Sequence, residues 1–492
     1  MQLAAELERA LREIASASNV EVRENGARFA PLSALEWEVR GQDNAPLLHL
    51  WSGQHNLTRR VVAITEHSEE RLVLAVQRFG HAKPDRLEFL RIDHTRPERE
   101  ASREEFRGRL GHVLAHRFPD ETIESLSVAA DLEHSLSGCY VRGTMRRGSL
   151  AWAILAVSES ESLAVQENIL TFGLLWLDRA RQSARRASVP GLRLFLPEGA
   201  GRVSCQRLAA LDSSTPVEVY EIRRTLEEVV QLHPSDMGNL NTWLVPRRET
   251  ESLLARARPD LDKVIKLAPD AMDASVVPGT HEVALRFRGL AFARWAEEQV
   301  YFGTGDRIEA LTPASENSLR KLVRELTTYR HPLASDTRHP LHRAQAERWL
   351  EAQVREDPAR VDPRLDPRFV YTQVPAVVAG DRSVMDLLGV TRDGRLVVME
   401  LKAEEHLHLP LQAADYWLRV RWHQQQNEFA RYGYFPGVTL QPKPPLVYLV
   451  APGLRFHPST DTLLRLLSRE MEVTRVGLAE DWRRGLRVIF RQ

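Results

Sequence analysis

The stretch from Asp381 to Lys402, DRSVMDLLGVTRDGRLVVMELK, constrains the fold more than any other part of the chain. Two apolar runs, Val384 to Val390 and Leu396 to Leu401, flank Asp393-Gly394, a dipeptide that tolerates the left-handed backbone of a tight hairpin turn. Both faces of the expected ribbon are apolar. Val384, Leu388, Val390, Leu396 and Val398 make one, and Met385, Leu387, Val397, Met399 and Leu401 make the other. Strands of that kind lie inside a sheet with helices against both surfaces, which predicts a layered α/β domain.

Three charged residues interrupt the pattern: Asp386, Glu400 and Lys402. If Arg392, Asp393 and Gly394 form a three-residue loop, Thr391 lies opposite Arg395 and Asp386 opposite Glu400, with Lys402 on the same face. A four-residue loop would turn Asp386 to the other face and break the cluster. Charges in so apolar a place are costly unless they pair with one another or bind a metal. A structural ion cluster at a sheet end is therefore one reading. The other is a pair of hard oxygen donors suited to Mg2+ or Mn2+, with an ammonium beside them, which is a set for metal-assisted hydrolysis of a phosphodiester. Only six of the 67 basic residues are lysines, so Lys402 points to a compact, deprotonatable charge where a generic cation would be arginine.

Downstream, Pro410 to Tyr432 reads as a helix, with proline at its first position and Gly433 just past its end. Leu411, Ala414, Leu418, Trp422 and Phe429 form its apolar stripe. Gln412, Tyr416, Arg419 and His423 form a second, polar stripe suited to a phosphate backbone. Upstream, a helix from Leu341 to Glu356 carries Glu347 on the same stripe as Leu350 and Val354, an odd place for a carboxylate, with Glu351 one turn on. His406 and His408 follow the hairpin and offer contacts to substrate or to a softer metal, or simply sit in solvent.

Met385-Asp386 followed by Glu400-Leu401-Lys402 resembles the signature of the PD-(D/E)XK nuclease superfamily, with Met385 where the family often has proline. The resemblance implies that Asp386, Glu400 and the backbone carbonyl of Leu401 hold the metal and that Lys402 stands beside the attacking water. Gln412-X-X-X-Tyr416 is similar to the element that follows the Glu-X-Lys strand in RecB-type members. A metal-supporting glutamate on the helix before the hairpin is also common in the family, which makes Glu347 the candidate and Glu351 its substitute. The order helix, hairpin, helix, strand covers about residues 335 to 492. It implies a restriction-endonuclease-like mixed sheet flanked by helices.

The rest of the chain shows no chemistry of its own. Residues 1–95 read as a helix followed by short strands, and residues 96–330 as an α/β unit leading into a mainly helical region that includes Thr225 to Val230 and Leu285 to Val300. Leu208 to Leu211 reads as a strand, and Gln166 to Arg186 as one long helix. The nuclease-like domain occupies residues 331–492. Residues 1–330 contain no phosphate loop, dinucleotide fingerprint or nucleophile elbow. They suit either a nuclease-like fold that has lost its acids or a sensor or target-recognition module that takes a protein partner. Arg294-Trp295-Ala-Glu297 and Arg348-Trp349-Leu-Glu351 look alike, as two helices with one packing solution would.

Cys139 and Cys205 are the only cysteines, which excludes a cysteine zinc site and fits a reducing compartment. No apolar run is long enough to span a bilayer, so a cytoplasmic protein without a membrane is expected. A net charge of zero excludes a protein that coats DNA. The function expected is that of a metal-dependent nuclease whose partner is nucleic acid, DNA by the family's usual preference. The alternative is a non-catalytic nucleic-acid-binding or scaffold protein that keeps the fold.

Overall fold

A computed structural model describes residues 2–15, 20–32, 35–40, 46–51, 56–68, 71–77, 85–91, 96–131, 136–184, 187–223, 228–237, 242, 244–277, 280–303, 308–375 and 384–492. These residues form a mixed α/β protein with four sheets. No helix among them is long and apolar enough to cross a membrane.

The first sheet is antiparallel and seven-stranded. It is built from β1 (Val20–Glu24), β2 (Ala27–Pro31), β3 (Glu36–Arg40), β4 (Leu47–Trp51), β5 (Asn56–His67), β6 (Arg71–Gln77) and β7 (Asp85–Arg91), in the order β2-β1-β7-β6-β5-β4-β3. Helix α1 (Gln2–Ala15) lays Leu7, Ala10, Leu11 and Ile14 into the core of this sheet, the three-and-four spacing of a one-sided helix.

The second sheet follows α2 (Arg96–Arg117) and comprises β8 (Thr122–Ser127), β9 (Tyr140–Arg147), β10 (Leu150–Val157), β11 (Leu192–Pro197), β12 (Val217–Ile222) and β13 (Val229–Leu232). Helices α3 (Leu163–Glu167) and α4 (Ile169–Ser183) connect β10 to β11, and α5 (Arg202–Arg207) leads toward β12. The expected helix from Gln166 to Arg186 is thus interrupted at Asn168, and its last two residues lie outside the described residues. Leu208 to Ala210 is a 3-10 turn, not the strand expected there.

Helix α6 (Arg247–Ile265) opens the third unit. A five-stranded meander of β14 (Met272–Val276), β15 (Val283–Phe287), β16 (Leu290–Ala296), β17 (Gln299–Phe302) and β18 (Glu309–Ala310) follows, and α7 (Glu316–Tyr329) closes it. Leu285 to Val300, expected to be helical, is therefore two hairpins. Glu297 and Glu298 adopt φ of 52° and 60°, which turns the chain back after Trp295 without the Asn-Gly signal that usually marks such a turn. Arg294-Trp295 lies in a strand and Arg348-Trp349 in a helix, so their likeness is not a shared packing solution. Of Thr225 to Val230, residues 225–227 lie outside the described residues and Val229-Val230 begin β13.

The last sheet holds the hairpin. It comprises β19 (Leu365–Pro375), β20 (Val384–Thr391), β21 (Leu396–Leu401), β22 (Leu446–Pro452), β23 (Val473–Leu478) and β24 (Val488–Arg491), in that order across the sheet. Its helices are α8 (Pro340–Arg343), α9 (Ala346–Glu356), α10 (Leu409–Gln425), α11 (Glu428–Arg431) and α12 (Thr460–Leu464). The single helices expected over 341–356 and 410–432 are each broken by one residue with positive φ, Gln345 at 45° and Asn427 at 54°.

The hairpin turns through the three-residue loop. Thr391 donates its N–H to Arg395 at 2.8 Å, and Gly394 has φ +88°. A β-carbon on Gly394 would stand 2.1 Å from the Thr439 carbonyl oxygen, so only glycine fits. Both faces of the ribbon are buried. Leu387, Val397, Met399 and Leu401 pack with Trp349, Leu350 and Val354 of α9, and Leu388, Val390, Leu396 and Val398 pack with Tyr416 and Val420 of α10.

The second and fourth sheets share one topology. In each, the pairings across the sheet run antiparallel, antiparallel, parallel, parallel, antiparallel. A single apolar core joins the two, containing Leu174 and Leu177 of α4, Leu411, Ala414 and Trp417 of α10, and Leu463 of α12.

Candidate active site

The site forms where two neighbouring strands separate. The pairs between β20 and β21 end at Leu387 with Met399, whereas β20 stays paired to β19 as far as Val384 with Pro375. Continuing the register would set Asp386 opposite Glu400 and give the Leu401 N–H to the Met385 carbonyl. Instead the Asp386 carboxylate accepts that N–H, Oδ2 to N 3.0 Å. A side chain has replaced a ladder carbonyl, which satisfies the amide and fixes the acid at the strand end.

The remaining charges gather from β21 and α9. Lys402 Nζ lies 3.5 Å from Glu400 Oε1 and 3.5 Å from Glu347 Oε2. Arg348 Nη1 stands 3.6 Å from Asp386 Oδ1, and the same guanidinium donates to Glu351. Asp386 and Glu400 are 9% and 3% exposed, whereas the Glu347 side chain is 45% exposed at the rim. Three buried carboxylates, Asp386, Glu400 and Glu351, and Glu347 at the rim thus face Lys402, Arg348 and Arg286, the last acting on Glu351. Glu400 Oε2 is fully buried and has no hydrogen-bond partner.

Electrostatics follow from that burial. Burial, and then the charge of Asp386, hold the Glu400 carboxyl well above the usual range. Burial raises Asp386 against the pull of Arg348 and Lys402, and burial raises Glu351 against Arg348. For Lys402 burial works downward, but Glu400, Glu347 and Asp386 outweigh it and hold the ammonium above its ordinary value. The readily deprotonated lysine anticipated from residue usage is therefore replaced by a firmly charged one.

The polar stripe of α10 is not open to solvent. Tyr416 and Arg419 are buried, with the Arg419 guanidinium near the Tyr416 ring. Burial raises the Tyr416 hydroxyl well above its usual pKa, helped by the charges of Glu400 and Asp386. Gln412 Oε1 and Arg419 Nη1 are buried without partners. His423 is 2% exposed, and its Nε2 meets Thr242 Oγ1 at 2.8 Å while its Nδ1 meets Glu428. With both ring nitrogens engaged in the core, His423 makes no surface contact of the kind its stripe implied. The stripe is enclosed because one side of α10 packs on its own sheet and the other on the second unit, where Arg207 holds Asp415.

His406 and His408 both lie below their ordinary pKa, at about 4. Burial is the main cause for each, followed by Lys402 for His406 and by His406 for His408. His408 Nδ1 bonds Thr171 Oγ1 at 3.0 Å, whereas His406 Nδ1 is buried without a partner.

Among the described residues no group of three or more His, Cys, Asp or Glu side chains is set to hold a metal. The donors at hand are Asp386 and Glu400 with the Leu401 carbonyl. Glu347 joins the cluster at the rim through Lys402, and its charge also raises the carboxyls of Asp386 and Glu400. The sequence reading did not find Arg348, which links Asp386 to Glu351; its spacing of three from Glu351 on one helix face was the available signal. The sequence matches no protein-family model, and no curated protein matches it.

Proposed function

We propose that the chain is a metal-dependent phosphodiester hydrolase of the PD-(D/E)XK type, with DNA as substrate and a restriction-endonuclease-like C-terminal domain. The observation that carries this reading is a buried acid pair, Asp386 and Glu400, with one oxygen left unused. In a self-neutralising ion cluster each buried oxygen finds a donor, whereas here Lys402 engages only Glu400 Oε1 and leaves Glu400 Oε2 buried without one, while the charge of Asp386 raises the same carboxyl. Such a set suits a hard divalent cation.

Asp386, Glu400 and the Leu401 carbonyl would hold Mg2+ or Mn2+, which supplies Lewis-acid charge at a phosphate oxygen. Lys402, kept as an ammonium, donates hydrogen bonds that orient the attacking water and offset charge building on the phosphate. Tyr416 and Gln412 would meet the substrate from α10, with Arg419 supporting the Tyr416 ring. The hydroxyl of Tyr416 stays protonated and is therefore a donor.

One observation favours a second reading, a nucleic-acid-binding scaffold that keeps the fold. Arg348 already engages Asp386 and Glu351. Incubating wild type, Asp386→Asn and Lys402→Ala with linear, circular and single-stranded DNA, with Mn2+ or with chelator, separates the two. Hydrolysis by wild type that needs Mn2+ and falls about 10³-fold in Lys402→Ala supports the enzyme, by the usual size of one electrostatic catalytic contribution. Retained binding in all three proteins without cleavage establishes the scaffold.

A further inference from the structure

The second and fourth sheets are related by more than strand order. Leu211 and Leu467 form an antiparallel bridge, and each lies six residues before the first residue of its strand, Val217 in β12 and Val473 in β23. The bonds around the bridge are reciprocal. Ser468 donates its N–H to Ala210 at 2.8 Å, and Asp212 donates its N–H to Leu466 at 2.9 Å. Asp212 and Ser468 each accept, through the side chain, the N–H two residues on, at 2.8 Å from Ser214 and 3.3 Å from Glu470. Contacts of this kind, in which position i of one unit meets the equivalent position of the other and the reverse, define a two-fold axis. The helix contacts obey it as well. α12 of the fourth unit packs on α4, and α5 with Leu208–Ala210 of the second packs on α10.

The registers carry the equivalence to the catalytic positions. Pro197 pairs with Ile222 at the end of β11, and Pro452 with Leu478 at the end of β22. Three residues before those prolines, Leu194 faces Leu155 and Leu449 faces Glu400. Leu155 in turn faces Arg142. The second unit therefore has Leu155 where the fourth has Glu400, Val157 where it has Lys402, and Arg142 where it has Asp386. The Arg142 guanidinium fills its position by donating to the carbonyls of Ala129 and Ser137 beneath the Trp176 ring, so a cation stands where the fourth unit has an acid.

We infer that residues 96–232 act as a built-in, catalytically silent second subunit, so that the chain hydrolyses one strand of a duplex per encounter. This rests on the hydrolase reading above. A symmetric pair with two acid sets places one on each strand; here the face through which the fourth unit would meet a copy of itself is taken by the silent unit, and one acid set remains. His408, just before α10, meets Thr171 in the first turn of α4, Nδ1 to Oγ1 3.0 Å, so the silent unit touches the chain six residues beyond Lys402. Each event consumes one water: its oxygen bonds to phosphorus, one P–O ester bond breaks, and the leaving oxygen ends with a proton.

The test is a time course on negatively supercoiled plasmid with Mn2+, at several dilutions of full-length protein. Nicked circles accumulate first at every dilution, linear DNA follows only as independent nicks coincide, and Lys402→Ala or Asp386→Asn removes both products. Linear DNA formed from the outset without a nicked intermediate overturns the silent-subunit inference and leaves the hydrolase reading intact. Absence of cleavage of any DNA overturns the hydrolase reading and this inference with it.

Discussion

Arg207→Ala should separate the two related units more than any other single change. Arg207 of α5 is buried and holds Asp415 of α10 in a fork, Nε to Oδ1 2.9 Å and Nη2 to Oδ2 2.7 Å, while Nη1 donates to the Glu167 carbonyl at 3.0 Å. Burial lowers the Arg207 pKa, but the Asp415 carboxylate outweighs it, so the guanidinium stays charged. Truncation strands a carboxylate with 19% side-chain exposure between two packed units and leaves a carbonyl without its donor. Removing one partner of a buried pair typically costs about 3–5 kcal/mol, because the other charge remains desolvated. In a cooperative unit of this size each kcal/mol moves the melting point by about 2–4 °C, so a fall of roughly 6–20 °C is expected by calorimetry. Asp415 neighbours Tyr416, so kcat should fall as well if α10 shifts. The double variant Arg207→Met with Asp415→Leu removes both charges at similar volume and should recover most of the loss. A single-variant loss below about 1 kcal/mol in urea unfolding, the value of an exposed pair, would refute the reasoning. So would failure of the double variant to recover.

Glu400→Gln removes a buried charge whose Oε2 has no partner, so the cation-free protein should melt at the same temperature or higher while the rise in Tm on adding Mn2+ disappears; an unchanged rise in a thermal-shift assay removes Glu400 from the cation site. Asp362 contributes to the acid limb of stability. Burial pushes its carboxyl up, but hydrogen bonds from Arg364 and from Tyr448, at 2.6 Å for the latter, bring it below the ordinary value. A carboxyl depressed in the folded state binds fewer protons there, so its contribution is present above about pH 4 and is lost as pH falls from there. Asp362→Asn should flatten the fall in unfolding free energy below about pH 4, and a slope identical to wild type contradicts that assignment.

What the sequence discloses about this fold tracks how local the cause is. The hairpin at Asp393-Gly394 is written in a few residues, since turn chemistry sets loop length and loop length sets register. That is why Asp386 and Glu400 can be placed at opposing positions before any coordinates. The meander β15–β17 is not local in this sense. Its reversal at Glu297-Glu298 puts two ordinary residues in the left-handed region, a conformation stabilised by pairing on either side and not by the residues themselves. Periodicity then reads Leu285 to Val300 as helix because nothing marks the break.

The same logic explains the polar stripe on α10. Read along one helix, Gln412, Tyr416, Arg419 and His423 look like a surface, because a helix in a two-layer domain has one solvated side. The covering layer comes from residues 96–232, and its relation to residues 340–492 lies in strand order and register, not in amino-acid identity: Leu155 stands for Glu400, Arg142 for Asp386. A charge at a strand end is visible in sequence only where it survives. Where it has been replaced by leucine and by an arginine satisfied by carbonyls, the segment reads as an ordinary α/β unit, and the burial of α10 has no local cause to announce it. The buried Arg419 is thus a consequence of the packed second unit, whereas His423 is covered by Thr242 and Glu428, and loosening the contact at Arg207 tests whether the inner wall of the site depends on the second unit.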